Sequence, residues 1–309
     1  MGLPMPHAPG QSVPPAALQA PPRVVVVIPN LNGASVLTST LAALPAAAVP
    51  EAYVAVVVDN ASTDDSLAVV ERAAPDAVIL RNAENVGFAA ACNRGGRHVP
   101  APYVLLLNSD VTMLPQALEK LVAVMDADPT LGALSPLMHW PDGRVQGPPM
   151  APWRRRGRGL VRMNWLPGTC LLLRREALDA IGWLDEGFFF YNEDLDLSWR
   201  LRKAGWTIAC APAIHVRHHE GVATRSDPAV LAKAIREGYA GSVLLARKHH
   251  PWAVPLVRLG IRLEVHGRAW WVQMRLRRGL PPTPREQAIL DLLPSLDDML
   301  YREASRAGD

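Results

Sequence analysis

The sequence predicts an α/β fold, with a mainly parallel sheet flanked by helices and a helical C-terminal region. Three observations support this prediction. Short unbroken runs of β-branched and aliphatic residues recur between positions 23 and 107 of the 309-residue chain. Segments of helical character separate these runs, and strands that alternate with helices form parallel βαβ units with right-handed crossovers. Beyond residue 247, basic residues recur at the four-residue spacing of one helical face.

The first strand is the run RVVVVI at 23–28, because a short, unbroken β-branched run such as its VVVVI is typical of a strand buried on both faces. Three more strands are predicted by YVAVVV at 53–58, AVIL at 77–80 and YVLLL at 103–107. The segments between them predict helices at about 34–44, 64–74 and 86–97. We expect Ser62 and Asp65 to form a capping box at the start of the second helix.

The two ends of the chain differ from this middle part. Residues 1–22 hold seven prolines and no charged residue, and we expect a disordered leader there. The main domain is therefore predicted at 23–225 and the helical region at 226–309. No run of about 18 uncharged apolar residues occurs, so no transmembrane helix is expected.

Composition narrows the class of protein. The hydrophobic fraction of 49% and the charged fraction of 20% are those of a globular protein. A net charge of +3 is too small to indicate nucleic-acid binding, and no base-reading module is present. Three cysteines, Cys92, Cys170 and Cys210, are far apart in apolar runs, which predicts buried, reduced thiols in a cytoplasmic protein.

Short polar residues follow all four predicted strands. In parallel α/β sheets, ligands bind beyond the carboxyl ends of the strands. Each polar residue alone is typical of turns and caps, but their presence after every strand predicts a ligand site at this edge of the sheet. The residues concerned are Pro29, Asn30 and Asn32 after the first strand, Asp59 and Asn60 after the second, Asn82, Asn85 and Gly87 after the third, and Asn108, Ser109 and Asp110 after the fourth.

The kind of ligand follows from two of these carboxylates. Neither the glycine pattern of a dinucleotide fold nor a phosphate loop ending in Lys-Ser or Lys-Thr is present. Asp59 is placed where it can accept a hydrogen bond from a base or ribose. Asp110 is placed where it can hold a divalent cation, Mg²⁺ or Mn²⁺, against a diphosphate. We therefore expect a nucleotide-diphosphate ligand bound through a metal.

An unusual stretch, FFFYNEDLDLSWRLR, occupies 188–202. Aromatic residues fill cores, whereas clustered carboxylates repel one another, so their adjacency indicates a site. Asn192 is expected to cap the helix that follows, and the acids of its first turn, Asp196 among them, favour the helix dipole. Gly205 is expected to end this helix.

In this stretch and in the strand ends described above, the chain resembles the family-2 glycosyltransferases with the A-type fold, and especially their bacterial rhamnosyltransferase-like branch. The matching stretches appear in the family's order between 24 and 221: VVVVIPNLNG, VVVDNASTDDS, NAENVGFAAACNRG, YVLLLNSDV, LPGTCLLLRREALDAIGWLDEGFFFYNEDLDLSWRLRKAGW and PAIHVRHHEG. The resemblance implies an inverting transferase that moves a sugar from a nucleotide diphosphate, such as dTDP-rhamnose or a UDP-sugar, to a hydroxyl of a glycan or a lipid-linked acceptor.

The resemblance also implies roles for individual residues. Asp194 would be the general base that takes the acceptor's proton, with Glu193 as its neighbour or an acceptor ligand. Residues at the strand ends and in the third helix would bind the donor: Pro29, Asn32, Asp59, Asn60, Asn85, Gly87, Asn93, Asn108 and Ser109. The acceptor would contact Trp165, Gly168 and Tyr191, and the aromatic run would form a wall of its site or part of the core.

The metal site departs from the family pattern. The usual Asp-x-Asp is Asn108-Ser109-Asp110 here, so Asp110 is its one anionic ligand. A second contact is expected from His218, which fits the family's His-x-x-Gly setting better than His215 or His219 does. Two other functions remain as alternatives. A sugar-1-phosphate nucleotidyltransferase would carry an arginine in the first loop, which PNLNG lacks, and a non-catalytic sugar-nucleotide binder would tolerate loss of the acidic pair.

Two basic segments lie outside these motifs. Residues 154–162 hold five arginines and two glycines, and predict either a solvated charge run or a loop that clamps phosphates. Residues 247–278 hold eight Lys or Arg, one acid, and the tryptophans Trp252, Trp270 and Trp271. Such a helix can lie in an anionic membrane interface, which would place the protein on the inner face of the membrane. A helix packed on the main domain is the alternative.

Overall fold

The computed structural model describes residues 21–47, 53–146, 159–219 and 228–301. All but the last two residues of the expected leader lie outside these ranges, as do residues 154–158 of the arginine-rich segment.

One mixed sheet of nine strands forms the centre of the described part of the chain. Its strands are β1 (Val24–Asn30), β2 (Tyr53–Asp59), β3 (Val78–Arg81), β4 (Tyr103–Leu107), β5 (Val111–Met113), β6 (Leu131–His139), β7 (Val161–Arg162), β8 (Cys170–Arg174) and β9 (Thr207–His218). Their order is β3-β2-β1-β4-β8-β6-β9-β5, and β7 pairs with β9. The four predicted strands are β1 to β4, and they form the expected parallel pairs.

The sequence runs did not predict the strands of the second half of the sheet, β5 to β9. β8 pairs antiparallel with both β4 and β6, while β6 and β9 run parallel. β8 is the five-residue segment CLLLR, and an apolar run of this length does not distinguish a strand from a buried helix. Strand direction therefore changes between β4 and β8.

Helices cover both faces of the sheet and form the C-terminal region. They are α1 (Ala34–Ala47), α2 (Ser66–Ala73), α3 (Phe88–His98), α4 (Ala117–Ala127), α5 (Arg175–Ile181), α6 (Glu193–Lys203), α7 (Pro228–His249), α8 (Val254–Leu276), α9 (Pro284–Leu292) and α10 (Leu296–Tyr301). The helices predicted between the first four strands are α1, α2 and α3, each within three residues at either end.

Two apolar layers explain why β1 is a continuous run of valines. Val24, Val26 and Ile28 belong to the core on one face of the sheet, and Val25 and Val27 to the core on the other. Alternate side chains of a strand point to opposite faces, so a strand covered on both sides needs apolar residues at every position. The three cysteines are free and buried, as predicted.

The C-terminal helices have an apolar core of their own. Val243 of α7 and Ile261 and Val265 of α8 pack with Ile289 and Leu292 of α9. Helices α7, α8, α9 and α10 contact one another through this cluster. Within the described ranges, no helix is both long enough and apolar enough to cross a membrane.

Candidate active site

A cleft of about 370 Å³ opens at the carboxyl ends of β1 and β4. This volume lies within the range of small-molecule sites, roughly 300–1,000 Å³. Residues from the strand ends, the aromatic run, β9 and α7 line it: Pro29, Asn30, Leu31, Asn32, Asn60, Asn85, Gly87, Phe88, Asn108, Ser109, Asp110, Thr169, Phe189, Phe190, Tyr191, His218, Lys233 and Ala234. Most of the predicted donor residues are therefore brought together here.

Ser62 ties the ends of β1 and β2 together, so the expected capping box with Asp65 is wrong. Its hydroxyl accepts from Asn32 N at 2.9 Å and lies 3.1 Å from Asn30 Nδ2. Asp65 stands at the N-cap of α2 without a side-chain cap hydrogen bond. The Ser62 side chain therefore binds Asn30 and Asn32 of the cleft and does not cap the helix.

Asp59 lies beneath the cleft, not on its lining. The carboxylate is buried and accepts from Asn30 Nδ2 at 3.4 Å and from Ser62 N at 3.2 Å. These contacts orient Asn30 and the turn that follows β2. A direct contact between Asp59 and a nucleoside stays a prediction, and the observed role of the side chain is to hold its neighbours in place.

The loop after β3 is held by Asn60, which follows β2, and by its own Asn85. Asn60 Nδ2 donates to Gly87 O at 3.2 Å, and Asn85 Oδ1 accepts from Gly87 N at 3.0 Å. Gly87 has φ +90°, and an added Cβ would lie 2.5 Å from Phe189 O. Only glycine fits this conformation and this close approach, which allows Phe88 N to donate to Phe189 O at 2.8 Å.

Asn93 is not among the residues that line the cleft, and its contact with the donor stays a prediction. It is buried in α3, where Nδ2 donates to Leu184 O at 2.9 Å and to Glu186 Oε1 at 2.8 Å. Its Oδ1 accepts from Leu184 N at 3.1 Å. Asn93 therefore fixes the loop before the aromatic run, and it lines a separate polar depression behind α3.

Two buried oxygen atoms at the cleft lack hydrogen-bond partners within the described residues. They are Asn30 Oδ1 and Asn108 Oδ1. Buried polar atoms are nearly always satisfied in folded proteins, so orphans at a cleft indicate groups that a bound molecule or water completes. Ser109 belongs to the same turn, and its carbonyl oxygen accepts from Thr40 Oγ1 at 2.8 Å.

His218 faces Asp110, with 3.4 Å between Nε2 and Oδ1. Gln146 holds the histidine from the other side, because its Nε2 donates to His218 O at 3.0 Å and its Oε1 lies 3.0 Å from His218 Nδ1. An amide oxygen only accepts, so Nδ1 carries a proton, and Nε2 is the ring nitrogen that faces Asp110. His215 instead faces His139, with 3.0 Å between Nδ1 and Nε2.

The acidic pair begins α6 beside the cleft. Asp194 Oδ2 accepts from Gly168 N at 3.2 Å, and Oδ1 accepts from Leu195 N at 2.8 Å. Burial raises the pKa of Asp194, while the Gly168 amide and the Trp165 indole act to lower it. The indole N–H of Trp165 lies near this carboxylate without a hydrogen bond of good geometry to any described atom.

Glu193 is the more strongly perturbed member of the pair. Burial and the neighbouring Asp194 raise its pKa to about 8, and its Oε2 has no partner within the described residues. With a pKa of about 8, Glu193 is protonated at neutral pH. Gly168 lies directly beside the pair, since a Cβ added there would be in ordinary van der Waals contact with Asp194 Cβ at 3.6 Å and with Glu193 Oε1 at 3.9 Å.

The backbone before α6 is strained. Tyr191 and Asn192 are consecutive non-glycine residues with φ of +66° and +69°. Such conformations cost free energy and cluster at functional sites. Asn192 does not cap α6, which corrects that prediction: its Nδ2 donates to Gly238 O of α7 at 2.9 Å. Gly205, with φ +91°, follows the end of α6 as predicted.

The aromatic run divides between core and cleft. Phe188 is fully buried, whereas Phe189, Phe190 and the half-exposed Tyr191 line the cleft. The sequence did not indicate Gln146, Thr169 or Lys233. No local signal marks them, because each is a single polar residue in an ordinary loop, strand boundary or helix.

Sheet order, cleft and acidic pair together define a glycosyltransferase of the A-type fold. The family described as "Glycosyl transferase family 2" matches residues 25–182, and "Glycosyltransferase like family 2" matches residues 150–240. The chain belongs to glycosyl transferase family 2, and to its rhamnosyltransferase-like branch.

Individual relatives agree with this assignment. The chain is 32% identical over 232 residues to an N-acetylglucosaminyl-diphospho-decaprenol L-rhamnosyltransferase of Mycobacterium tuberculosis, covering 63% of this chain and 75% of the relative. Among solved structures, the mannosyltransferase PcManGT from Pyrobaculum calidifontis, in complex with GDP-Man and Mn²⁺, has a TM-score of 0.55 and 18% identity, over 94% of this chain and 90% of the other. S. aureus TarS in complex with UDP has a TM-score of 0.53 and 17% identity, over 72% and 65%.

Proposed function

We propose that this enzyme is an inverting transferase that moves a sugar, rhamnose or a hexose, from a dTDP or UDP donor to a hydroxyl of a lipid-linked glycan. The observation that carries the proposal is the acidic pair at the cleft, where Asp194 is held by two backbone amides next to a protonated Glu193. The similar M. tuberculosis enzyme, named for a lipid-diphosphate acceptor, supports the choice of acceptor.

The proposed chemistry needs one base. Asp194 takes the proton of the acceptor hydroxyl while that oxygen attacks the anomeric carbon, and the bond to the nucleoside diphosphate breaks on the opposite face. Inversion follows from this in-line displacement. Protonated Glu193 keeps the pair at a single negative charge, so that Asp194 remains ionised despite its burial.

Asp110 and His218 fit a divalent cation, Mg²⁺ or Mn²⁺. A carboxylate oxygen and an imidazole nitrogen face each other at 3.4 Å, close to the roughly 3 Å that separates adjacent ligands of one ion. No cluster of three or more metal-ligating side chains occurs in the described part of the chain, so diphosphate oxygens and water would complete the shell. The cation would neutralise the diphosphate of the donor and of the departing product.

An exposed apolar face on α8 supports attachment to a membrane. One side of this helix carries Leu256, Leu259, Leu263 and Trp270, and the opposite side carries the buried Ile261 and Val265. Trp252 and Trp271 are near the first side. The three leucines and three tryptophans are each more than half exposed. A helix that is apolar on two opposite faces and covered on only one presents the other to a partner. Leucine and tryptophan are the residues that enter a lipid interface.

The basic residues of 247–278 contribute less to this attachment than their number indicates. Most are engaged within the protein: Lys248 pairs with Asp185 and Asp196, Arg262 with Asp297, Arg268 with Glu264, Arg275 with Glu286, and Arg258 donates to Leu300 O. Arg247, Arg277 and Arg278 form no ion pair within the described residues. Three cations supply about 3 kcal/mol at an anionic surface, so we propose that the apolar face carries most of the binding.

Co-sedimentation with anionic liposomes tests the membrane proposal. The full-length protein should bind at low salt, and the triple variant L259S/L263S/W270S should not. The variant R277E/R278E should bind more weakly, and only this charge-dependent part should disappear at high salt. Equal binding by the triple variant and the wild type would refute the role of the α8 face.

A donor screen tests the transferase itself. Nucleoside diphosphate release from a panel of nucleotide sugars should require a prenyl-diphospho-N-acetylglucosamine acceptor and should rise with Mg²⁺ or Mn²⁺. Release of pyrophosphate from a nucleoside triphosphate and a sugar 1-phosphate would instead favour the nucleotidyltransferase. Donor binding without any turnover would favour a sugar-nucleotide binder.

A further inference from the structure

Lys233 reaches the cleft from α7, the first helix of the C-terminal region. Its side chain lines the cleft beside Ala234, and Nζ lies 4.0 Å from the centroid of the Phe189 ring. At this distance, a cation–π interaction holds the ammonium group over the aromatic face. Lys233 therefore stands at the aromatic side of the cleft.

No carboxylate of the described residues pairs with this ammonium group. Within the described residues Lys233 forms no ion pair, whereas Lys248 on the same helix pairs with Asp185 and Asp196. Asp110 is the only carboxylate among the described residues that line the cleft, and it faces His218. An exposed lysine that lies over an aromatic ring, with no anionic partner in the described residues, is suited to bind an anion from solution.

Close contacts with the strained turn and with α6 fix the position of α7, the helix that carries Lys233. The bond from Asn192 Nδ2 to Gly238 O anchors the middle of the helix. An added Cβ on Gly241 would lie 2.9 Å from Asn192 Nδ2, so the small residue allows this approach. At the far end, His249 Nε2 lies 2.7 Å from Asp196 Oδ1. The turn that leads into the acidic pair thus also positions the lysine.

We propose that Lys233 binds a diphosphate group in the cleft through a charge-assisted hydrogen bond to a phosphate oxygen. This inference rests on the proposed function, which supplies two diphosphates: that of the nucleotide donor and that of a lipid-diphosphate acceptor. Lysine acts on phosphate as a point charge, so the same chemistry serves either one.

Calorimetric titration of the full-length protein distinguishes the two diphosphates. The donor arm uses UDP and dTDP with Mn²⁺. The acceptor arm compares a short prenyl-diphospho-N-acetylglucosamine with a neutral alkyl N-acetylglucosaminide. The variants are Lys233→Ala, Lys233→Arg and, as a charge-matched control, Lys203→Ala, which removes an exposed lysine at the end of α6. Thermal melting confirms that each variant is folded.

We expect Lys233→Ala to weaken the binding of one diphosphate about 10-fold, the scale of one charge-assisted hydrogen bond. Lys233→Arg should restore most of the affinity, and Lys203→Ala should match the wild type. A loss for UDP and dTDP assigns Lys233 to the donor, and a loss confined to the prenyl diphosphate assigns it to the acceptor. Unchanged affinity in both arms, or an equal loss in Lys203→Ala, would overturn the inference. A wild type that binds none of these ligands would refute the proposed function instead.

Discussion

The first turn of α6 carries the buried carboxylates Glu193 and Asp196 on two different sides. They differ in whether basic side chains pair with them. Beside Gly168, Glu193 has an oxygen without a partner in the described residues and a pKa raised to about 8. Toward α7, Asp196 is fully buried but lies 2.7 Å from Arg200 Nε, 2.8 Å from Lys248 Nζ and 2.7 Å from His249 Nε2.

This difference shows that burial alone does not separate a functional carboxylate from a structural one. A buried carboxylate that pairs with basic side chains from two helices joins those helices. A buried carboxyl group without a cation shifts its pKa instead, which makes its proton available for chemistry. The Glu193 side of the turn suits catalysis, and the Asp196 side holds α6 against α7.

The largest effect is expected from Asp194→Asn. This substitution keeps the shape of the side chain and removes the proposed base, so turnover should fall by at least about 100-fold while donor binding is unchanged. Release of nucleoside diphosphate and calorimetry with the donor measure the two quantities. Asp65→Asn, at an exposed carboxylate, is the control. Near-normal turnover by a folded Asp194→Asn protein would refute the assignment of the base.

Asp196→Asn should affect stability instead of chemistry. Loss of the buried charge leaves Arg200, Lys248 and His249 without their shared partner, and breaking a buried pair costs roughly 3 kcal/mol or more. Since Lys248 is partly exposed, we expect the lower end of that range in urea unfolding. Turnover at low temperature should stay within a few-fold of the wild type. A loss of turnover as large as that of Asp194→Asn would contradict the division between the two sides.

Asp110 and Asp59 extend the comparison to the donor site. Asp110 lines the cleft, whereas Asp59 lies beneath it and accepts hydrogen bonds from Asn30 and Ser62. Asp110→Ala should weaken nucleoside diphosphate binding about 10-fold in the presence of Mn²⁺ and little in its absence, because the diphosphate loses its bridging cation. Asp59→Ala should weaken binding with or without metal, because it releases Asn30 and Ser62. Calorimetry under both conditions measures this, and the same metal dependence for both variants would contradict it.

The smallest effect on turnover is expected from Glu193→Gln, because glutamine resembles the protonated acid. Below pH 7 its turnover should lie within a few-fold of the wild type. Stability should respond to pH: the folded protein keeps a proton that the unfolded chain releases above a pKa of about 4.5. The free energy of unfolding of the wild type should therefore fall as pH rises from about 4.5 to about 8.

Glutamine has no proton to release, so the variant should lose less stability over the same pH range. Urea unfolding at pH 5, 6, 7 and 8 measures the difference between the two proteins. A constant difference across these pH values would show that Glu193 is ionised throughout and would remove the contrast with Asp196.

The sequence by itself determined the parallel half of the sheet, the strand ends that meet at the cleft, and the family. Runs such as Val24–Ile28 are readable because burial on both faces demands an apolar residue at every position. The acidic pair was readable because carboxylates next to aromatic residues are costly without a function. These patterns are local in the sequence, so they can be interpreted without knowing the tertiary contacts.

Only the tertiary structure decided which polar residues reach the cleft and which carboxylates have partners. Asn93 belongs to a matching motif but turns to a loop 91 residues away, whereas Lys233 enters the cleft from a helix without any motif. Three acids within four positions look alike in sequence, and Asp196 differs because Lys248 and His249, more than 50 residues later, fold against it. Contacts at such separations depend on how whole elements pack, and no local pattern records them.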